Sequence, residues 1–157
     1  MAINVGADLS ATYSALGENT PALGDIYEDV TGKRYRFVLF NNGAGDVAAA
    51  VGNFAYVYAP SGASAGATTT VTSDLSDSAN VGAGVFQAVA ADGEYCWLQI
   101  SGYATLTTAL TAGADGNALT PVGSSDGTLD VSALVTDHIC AIAVDHSAKI
   151  VLLCNMG

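Results

Sequence analysis

Short constellations in this 157-residue chain carry the residue types that do chemistry. Gly62-Ala63-Ser64-Ala65-Gly66 fits G-x-S-x-G, the turn that lifts a serine nucleophile out of a strand-to-helix junction, and His138 lies downstream as a candidate base. Its flanks do not fit. Pro60-Ser61 precedes it, and the β-branched run Ala67-Thr68-Thr69-Thr70-Val71 follows where a helix should start. Gly43-Ala44-Gly45-Asp46-Val47-Ala48 fits G-x-G-x-x-A, the turn that sets a pyrophosphate on a helix N-terminus. Here Asp46 puts a carboxylate where the pyrophosphate would sit, and Gly52 leaves the helix only a turn or two. His138, Cys140 and Cys154 share one face of a final hairpin and make a nominal N,S,S set for zinc or a Cys–His dyad. No C-x-x-C or paired-His spacing completes it, and buried thiols acting as small hydrophobes are the commoner case.

The remaining polar pairs read as turns. Asp115-Gly116-Asn117 and Asp126-Gly127 do not reproduce the alternating acidic loop that binds calcium, and Asp-Gly steps are ordinary turn chemistry. Asp137-His138 and Asp145-His146 read as turn ends, where either histidine can titrate at a subunit contact. The reading therefore assigns no catalytic, cofactor-binding or metal residue: the protein is expected to be no enzyme and to need no cofactor.

The elements that would position these residues are short strands. Residues 1–24 are small, polar and aperiodic and read as an extended N-terminal arm, with a weak helical pattern from Asp8 to Leu16 as the alternative. Residues 25–157 read as a single β domain in which 60–84 is a loop-rich insertion. The first hairpin joins Asp25–Thr31 to Arg34–Phe40 through Gly32-Lys33, a type II′ turn that sets Asp29 opposite Arg36. Asp46 is placed to cap a short helix over Val47–Val51. The second hairpin joins Val85–Ala91 to Glu94–Ile100 through Asp92-Gly93. In the closing hairpin Val144 aligns with Ile150, Ile142 with Leu152, and Cys140 with Cys154, and both faces are apolar. Phe37, Leu39, Trp97, Leu98, Ile142, Val144, Ile150 and Leu152 are the expected core. The other face, Ile139, Ala141, Ala143, Val151 and Leu153, is the expected contact between copies. Short strands separated by turn signals define an all-β fold, a compact barrel or sandwich with at most one or two short helices.

Composition points to assembly. Half of the residues are hydrophobic, 12% are charged, and the mean hydropathy is +0.38. No apolar run approaches the roughly 20 residues of a membrane span. A chain this poor in charge is expected to cover part of its surface with other chains. Fifteen acidic residues against four basic ones give a net charge of −11, which repels phosphate backbones and anionic membranes, so neither nucleic acid nor membrane is an expected partner. Lys33, Arg34 and Arg36 read as a solvated hairpin tip with local ion pairing. The three cysteines are an odd count without paired spacing, and the first residues lack a secretory pattern, which together suggest folding in a cytoplasm.

The run Leu23-Gly24-Asp25-Ile26-Tyr27-Glu28-Asp29-Val30-Thr31-Gly32-Lys33-Arg34-Tyr35-Arg36-Phe37-Val38 resembles the opening hairpin of small capsid decoration (cement) proteins of tailed bacteriophages. The later layout is similar to theirs as well: Gly102-Tyr103-Ala104, Ala112-Gly113, Leu119-Thr120, Asp126-Gly127, Ile139–Val144 and Lys149–Leu153. The resemblance implies a β-tulip or barrel domain that oligomerises on the exterior of an icosahedral capsid. It implies the major capsid protein and further copies of itself as partners, with a homotrimer favoured and a dimer left open. The protein would be made in the host cytoplasm and end in the virion. On this reading Ile3, Val5, Leu9, Tyr13, Leu16 and Leu23 of the arm contact the capsid. A phage fibre or tail module, and more remotely a small β-fold hydrolase or sugar-binding domain, are the alternatives.

Overall fold

In the computed structural model, residues 6–59, 68–154 and 156 are described. Among these residues the chain forms ten strands: β1 (Ile26–Glu28), β2 (Arg34–Phe40), β3 (Phe54–Tyr58), β4 (Thr70–Thr72), β5 (Ser78–Phe86), β6 (Tyr95–Thr105), β7 (Ala118–Thr120), β8 (Asp130–Val131), β9 (Ala141–Asp145) and β10 (Ile150–Leu153). The chain is all-β, with a closed five-stranded barrel and further strands outside it. Strands β2, β4, β3, β5 and β6 follow one another around the barrel, and β2 pairs back onto β6 to close it. Along its other edge β2 meets β1 at its start and β4 at its end, the latter in parallel with Leu39 beside Thr70. Past Ser101, β6 leaves the barrel and pairs with β10, from which β9, β7 and β8 extend an open sheet.

Alternation sorts the side chains into three packed groups. Val38, Phe40, Ala55, Val71, Phe86, Leu98 and Ile100 belong to the barrel interior. Phe54, Tyr56 and Val85 on the barrel wall pack against Ala104, Leu119, Ala141, Ala143, Val151 and Leu153 of the open sheet. Tyr35, Phe37 and Trp97 form an aromatic group on another part of the wall, against which Leu9 and Tyr13 of the arm pack. Tyr56 ties the two sheets together: its hydroxyl bonds the carbonyl of Ser125 at 2.9 Å and accepts from the Thr128 N–H at 3.0 Å. Burial, the largest cause, pushes this phenol up to about 12.

The closing hairpin keeps its expected Ile142–Leu152 pairing, but its faces are exchanged. Ala141, Ala143, Val151 and Leu153, expected between copies, are 0 to 3% exposed within the chain's own core. Only Ile139 of that set is exposed. Val144 and Leu152, expected inside, are exposed, and Ile142 and Ile150 are half-buried. Two apolar faces cannot announce which turns inward. The small alanines let β9 close on Phe54 and Tyr56, which Ile142 and Val144 would hold away. A bulge between Ile150 and Val151 also places Ile150 opposite Asp145, so Val144 loses its expected partner. Of the other expected core residues, Phe37, Trp97 and Leu98 are fully buried and Leu39 is half-buried.

Further expectations fail for local reasons. Asp29 builds a wider turn than Gly32-Lys33 alone: its carboxylate accepts from the Thr31 N–H at 2.8 Å, the Thr31 hydroxyl at 2.7 Å and the Lys33 N–H at 3.1 Å. The register shifts, and Ile26 rather than Asp29 faces Arg36. In the second hairpin β5 stops at Phe86, and the Asp92-Gly93 tip folds onto the end of β2, with the Gly93 N–H on the Phe40 carbonyl at 3.0 Å. Residues 68–84 are no insertion, since β4 and most of β5 are barrel staves; 60–67 lie outside the described residues. No helix forms at 47–51, where Asp46 takes φ +52, or at 8–16. Leu153→Ala should cost about 2–5 kcal/mol in urea unfolding, the same at all protein concentrations, as an intrachain core residue requires. A concentration-dependent loss would return Leu153 to a contact between copies.

Candidate functional site

The glycine-rich loop after β2 is occupied by the chain's own carboxylates. Asp74, 3% exposed, accepts from the Gly45 N–H at 2.9 Å and, through its other oxygen, from the Ser76 N–H at 2.9 Å and hydroxyl at 2.6 Å. Asp77 accepts from the Ala44 N–H at 2.6 Å. A Cβ at Gly43 would lie 2.7 Å from Asp74, so the glycine admits a carboxylate and leaves no room for a pyrophosphate. The Ser76 hydroxyl, with the backbone N–H groups of Gly45 and Ser76, holds Asp74 below the usual carboxylate range although burial opposes it.

The other constellations come apart. Gly62–Gly66 lies outside the described residues. His138 is exposed, and its Nδ1 accepts from the Gly82 N–H at 3.3 Å. Cys140 is fully buried and packs with the open sheet, whereas Cys154 is exposed. Burial pushes the Cys140 thiol far up and the Cys96 thiol up to about 12, so neither is a nucleophile at neutral pH. Among the described residues no group of three or more His, Cys, Asp or Glu is placed to hold a metal ion. The acidic residues are spent on turns instead. Asp115 accepts from the His146 N–H at 2.8 Å, Asp126 from the Leu75 N–H at 2.8 Å, Asp137 from the Ala133 and Leu134 N–H groups at 2.9 Å, and Asp145 from the Ala148 N–H at 2.9 Å.

The basic cluster at 33–36 is not one solvated tip. Arg34 lies 3.9 Å from Glu28, but Arg36 sits opposite Ile26 and Leu98 on the inner face of the barrel. Nor is the arm detached from its domain. Tyr13 and Tyr95 exchange backbone hydrogen bonds at 3.0 and 2.8 Å, and the Tyr13 ring packs edge-on to Phe37 with centroids 5.6 Å apart. Leu9 and Tyr13 are thereby committed to the aromatic group; Leu16 and Leu23 stay exposed, and Ile3 and Val5 lie outside the described residues.

What the fold does present is an apolar row on the outer face of the open sheet. Tyr103 pairs with Leu152, Leu152 with Ile142, and Ile142 with Ala118, so these four stand side by side across β6, β10, β9 and β7. Tyr103 is 57% and Leu152 37% exposed, with Val144 also exposed and Ile150 half-buried beside them. No carboxylate lies within the row. Sequence reasoning missed Tyr103, whose one signal was alternation with Ala104, a residue buried in the core.

No protein-family model, curated protein or solved structure matches the chain. Among the described residues no helix is long and apolar enough to cross a membrane.

Of the three thiols, Cys154 alone should react promptly with an aromatic disulfide reagent at pH 8 in the native state, and all should react in guanidinium. Acid sensitivity follows from the lowered carboxylates Asp29, Asp74, Asp137 and Asp145. Their contribution is complete above the unfolded pKa near 4 and is lost as pH falls through the lower folded values. The melting temperature should therefore drop below about pH 4, and Asp74→Ala should cost about 1–3 kcal/mol at pH 7, by leaving buried N–H groups unpaired.

Proposed function

We propose that this is a non-enzymatic structural protein that decorates the exterior of an icosahedral bacteriophage capsid, where a homo-oligomer, most simply a trimer, bridges copies of the major capsid protein. The outer row carries this reading. A chain of net charge −11 repels its own copies except where the contact is free of carboxylates, and Tyr103, Ile142 and Leu152 form such a patch on a rigid sheet. A stable contact takes about 800 Å² from each partner, more than these side chains supply, so Ala118 and Val144 would join them, with Asp145 opposite Ile150 at the rim. Leu16 and Leu23 on the arm are then left to face the coat, with Leu9 and Tyr13 anchoring the arm to the barrel. The same negative charge disfavours packaged nucleic acid as a partner and suits the outer side of a shell.

Light scattering at micromolar concentration should give a multiple of 15.7 kDa. Leu152→Glu should return the protein to a monomer with an unchanged urea midpoint in dilute solution, and should abolish co-sedimentation with capsids assembled from the coat protein of the same phage. A wild-type monomer that also fails to co-sediment would overturn the reading.

A further inference from the structure

We infer that one mouth of the barrel is a binding site for a small organic carboxylate with an apolar body, gripped by Arg36. The inference stands apart from the proposed structural role. The register places Arg36 directly opposite Ile26 on β1 and Leu98 on β6, both core residues, so its side chain starts from the inner face of the barrel. A cavity of about 450 Å³ opens there, walled by Val38, Val57, Val71 and Ala83, with His138 also lining it. That size lies within the roughly 300–1,000 Å³ of small-ligand sites.

Arg36 is half-buried, and no carboxylate among the described residues pairs with it, although the chain holds 15 acidic residues and only four basic ones. The carboxylates nearest in sequence have other work: Asp29 is consumed by its own turn, and Glu28 lies against Arg34. A guanidinium offers a planar fork of donors that matches the two oxygens of a carboxylate, and partial removal from water strengthens that match. His138 adds to it. With Nδ1 accepting from the Gly82 N–H, the neutral ring carries its proton on Nε2, and among the described residues the cavity lining includes no carboxylate. One cation above valine walls suits a monoanion with a hydrocarbon tail. A phosphate ester would meet a single guanidinium and an apolar wall where it needs several donors.

The test is titration of the full chain with octanoate, and with octanol as its neutral match, followed by amide chemical shifts and calorimetry. Octanoate should saturate below millimolar concentration, moving the amides of Val57, Val71 and Ala83, while octanol binds at least about tenfold more weakly. Arg36→Met should weaken octanoate roughly tenfold to hundredfold and leave octanol unchanged. It should not lower the melting temperature of the ligand-free protein, because it removes an unpaired, partly desolvated charge. Val57→Trp, which fills the mouth, is the second variant and should abolish the octanoate shifts. Absence of saturable shifts, equal affinity for the two probes, or undiminished octanoate binding by either folded variant would overturn the site.

Discussion

The open sheet hangs on one strand that serves two sheets. The first part of β6 closes the barrel against β2, and its last residues carry the open sheet through β10. The change of direction falls at Gly102, with φ +91, a conformation that side chains rarely adopt. There the Gln99 amide, almost fully buried, donates to the carbonyls of Ser101 at 3.0 Å and Tyr103 at 2.8 Å. A bend leaves backbone carbonyls without ladder partners, and an unpaired buried carbonyl costs as much as a lost hydrogen bond. One side chain satisfies both and so fixes the angle between the sheets. Tyr103 then stands on the outer face, and Ala104 enters the core against Phe54 and Tyr56.

The acidic residues belong to the same economy of short strands. A barrel with extra strands needs many tight connections, and each connection exposes N–H groups that no ladder reaches. Asp29, Asp74, Asp137 and Asp145 supply acceptors there. A negative charge that looks like a statement about partners is in large part the chemistry of turns. Its effect on partners remains, because the outward-facing row is free of it.

Strand periodicity, several Gly-containing turns and the Ile142–Leu152 pairing were legible in the residues, and with them the all-β class, with barrel and sandwich both left open. Those features are local. The inward face of the closing hairpin was not, since Ile142 and Val144 are as apolar as Val151 and Leu153, and the choice rests on how closely Ala141 and Ala143 approach the barrel wall. The parallel step between β2 and β4 was hidden as well. It joins residues far apart in the chain, and residues 70–72 are too short a strand to show a period. The wider turn at Asp29 was missed because Gly32-Lys33 alone satisfies a simpler turn, and that error hid the entry of Arg36 into the barrel. At the glycine-rich loop the sequence pointed to Asp46 as the carboxylate in the way of a pyrophosphate, whereas Asp74 and Asp77 take the loop N–H groups from a distant part of the chain.

The closure of β2 on β6 also sets an order of events for the growing chain. Arg34 pairs with Ser101 and Leu39 with Tyr95, so no barrel exists until the strand that ends it has left the ribosome. Until then β2 is an apolar edge without a neighbour on that side, the kind of surface that seeks any other strand. Contacts this distant in sequence form slowly, on a scale of roughly milliseconds to seconds. β10, β9, β7 and β8 follow after β6 in the chain and can add to an edge that is already set, so strands made after the barrel carry most of the outward-facing row.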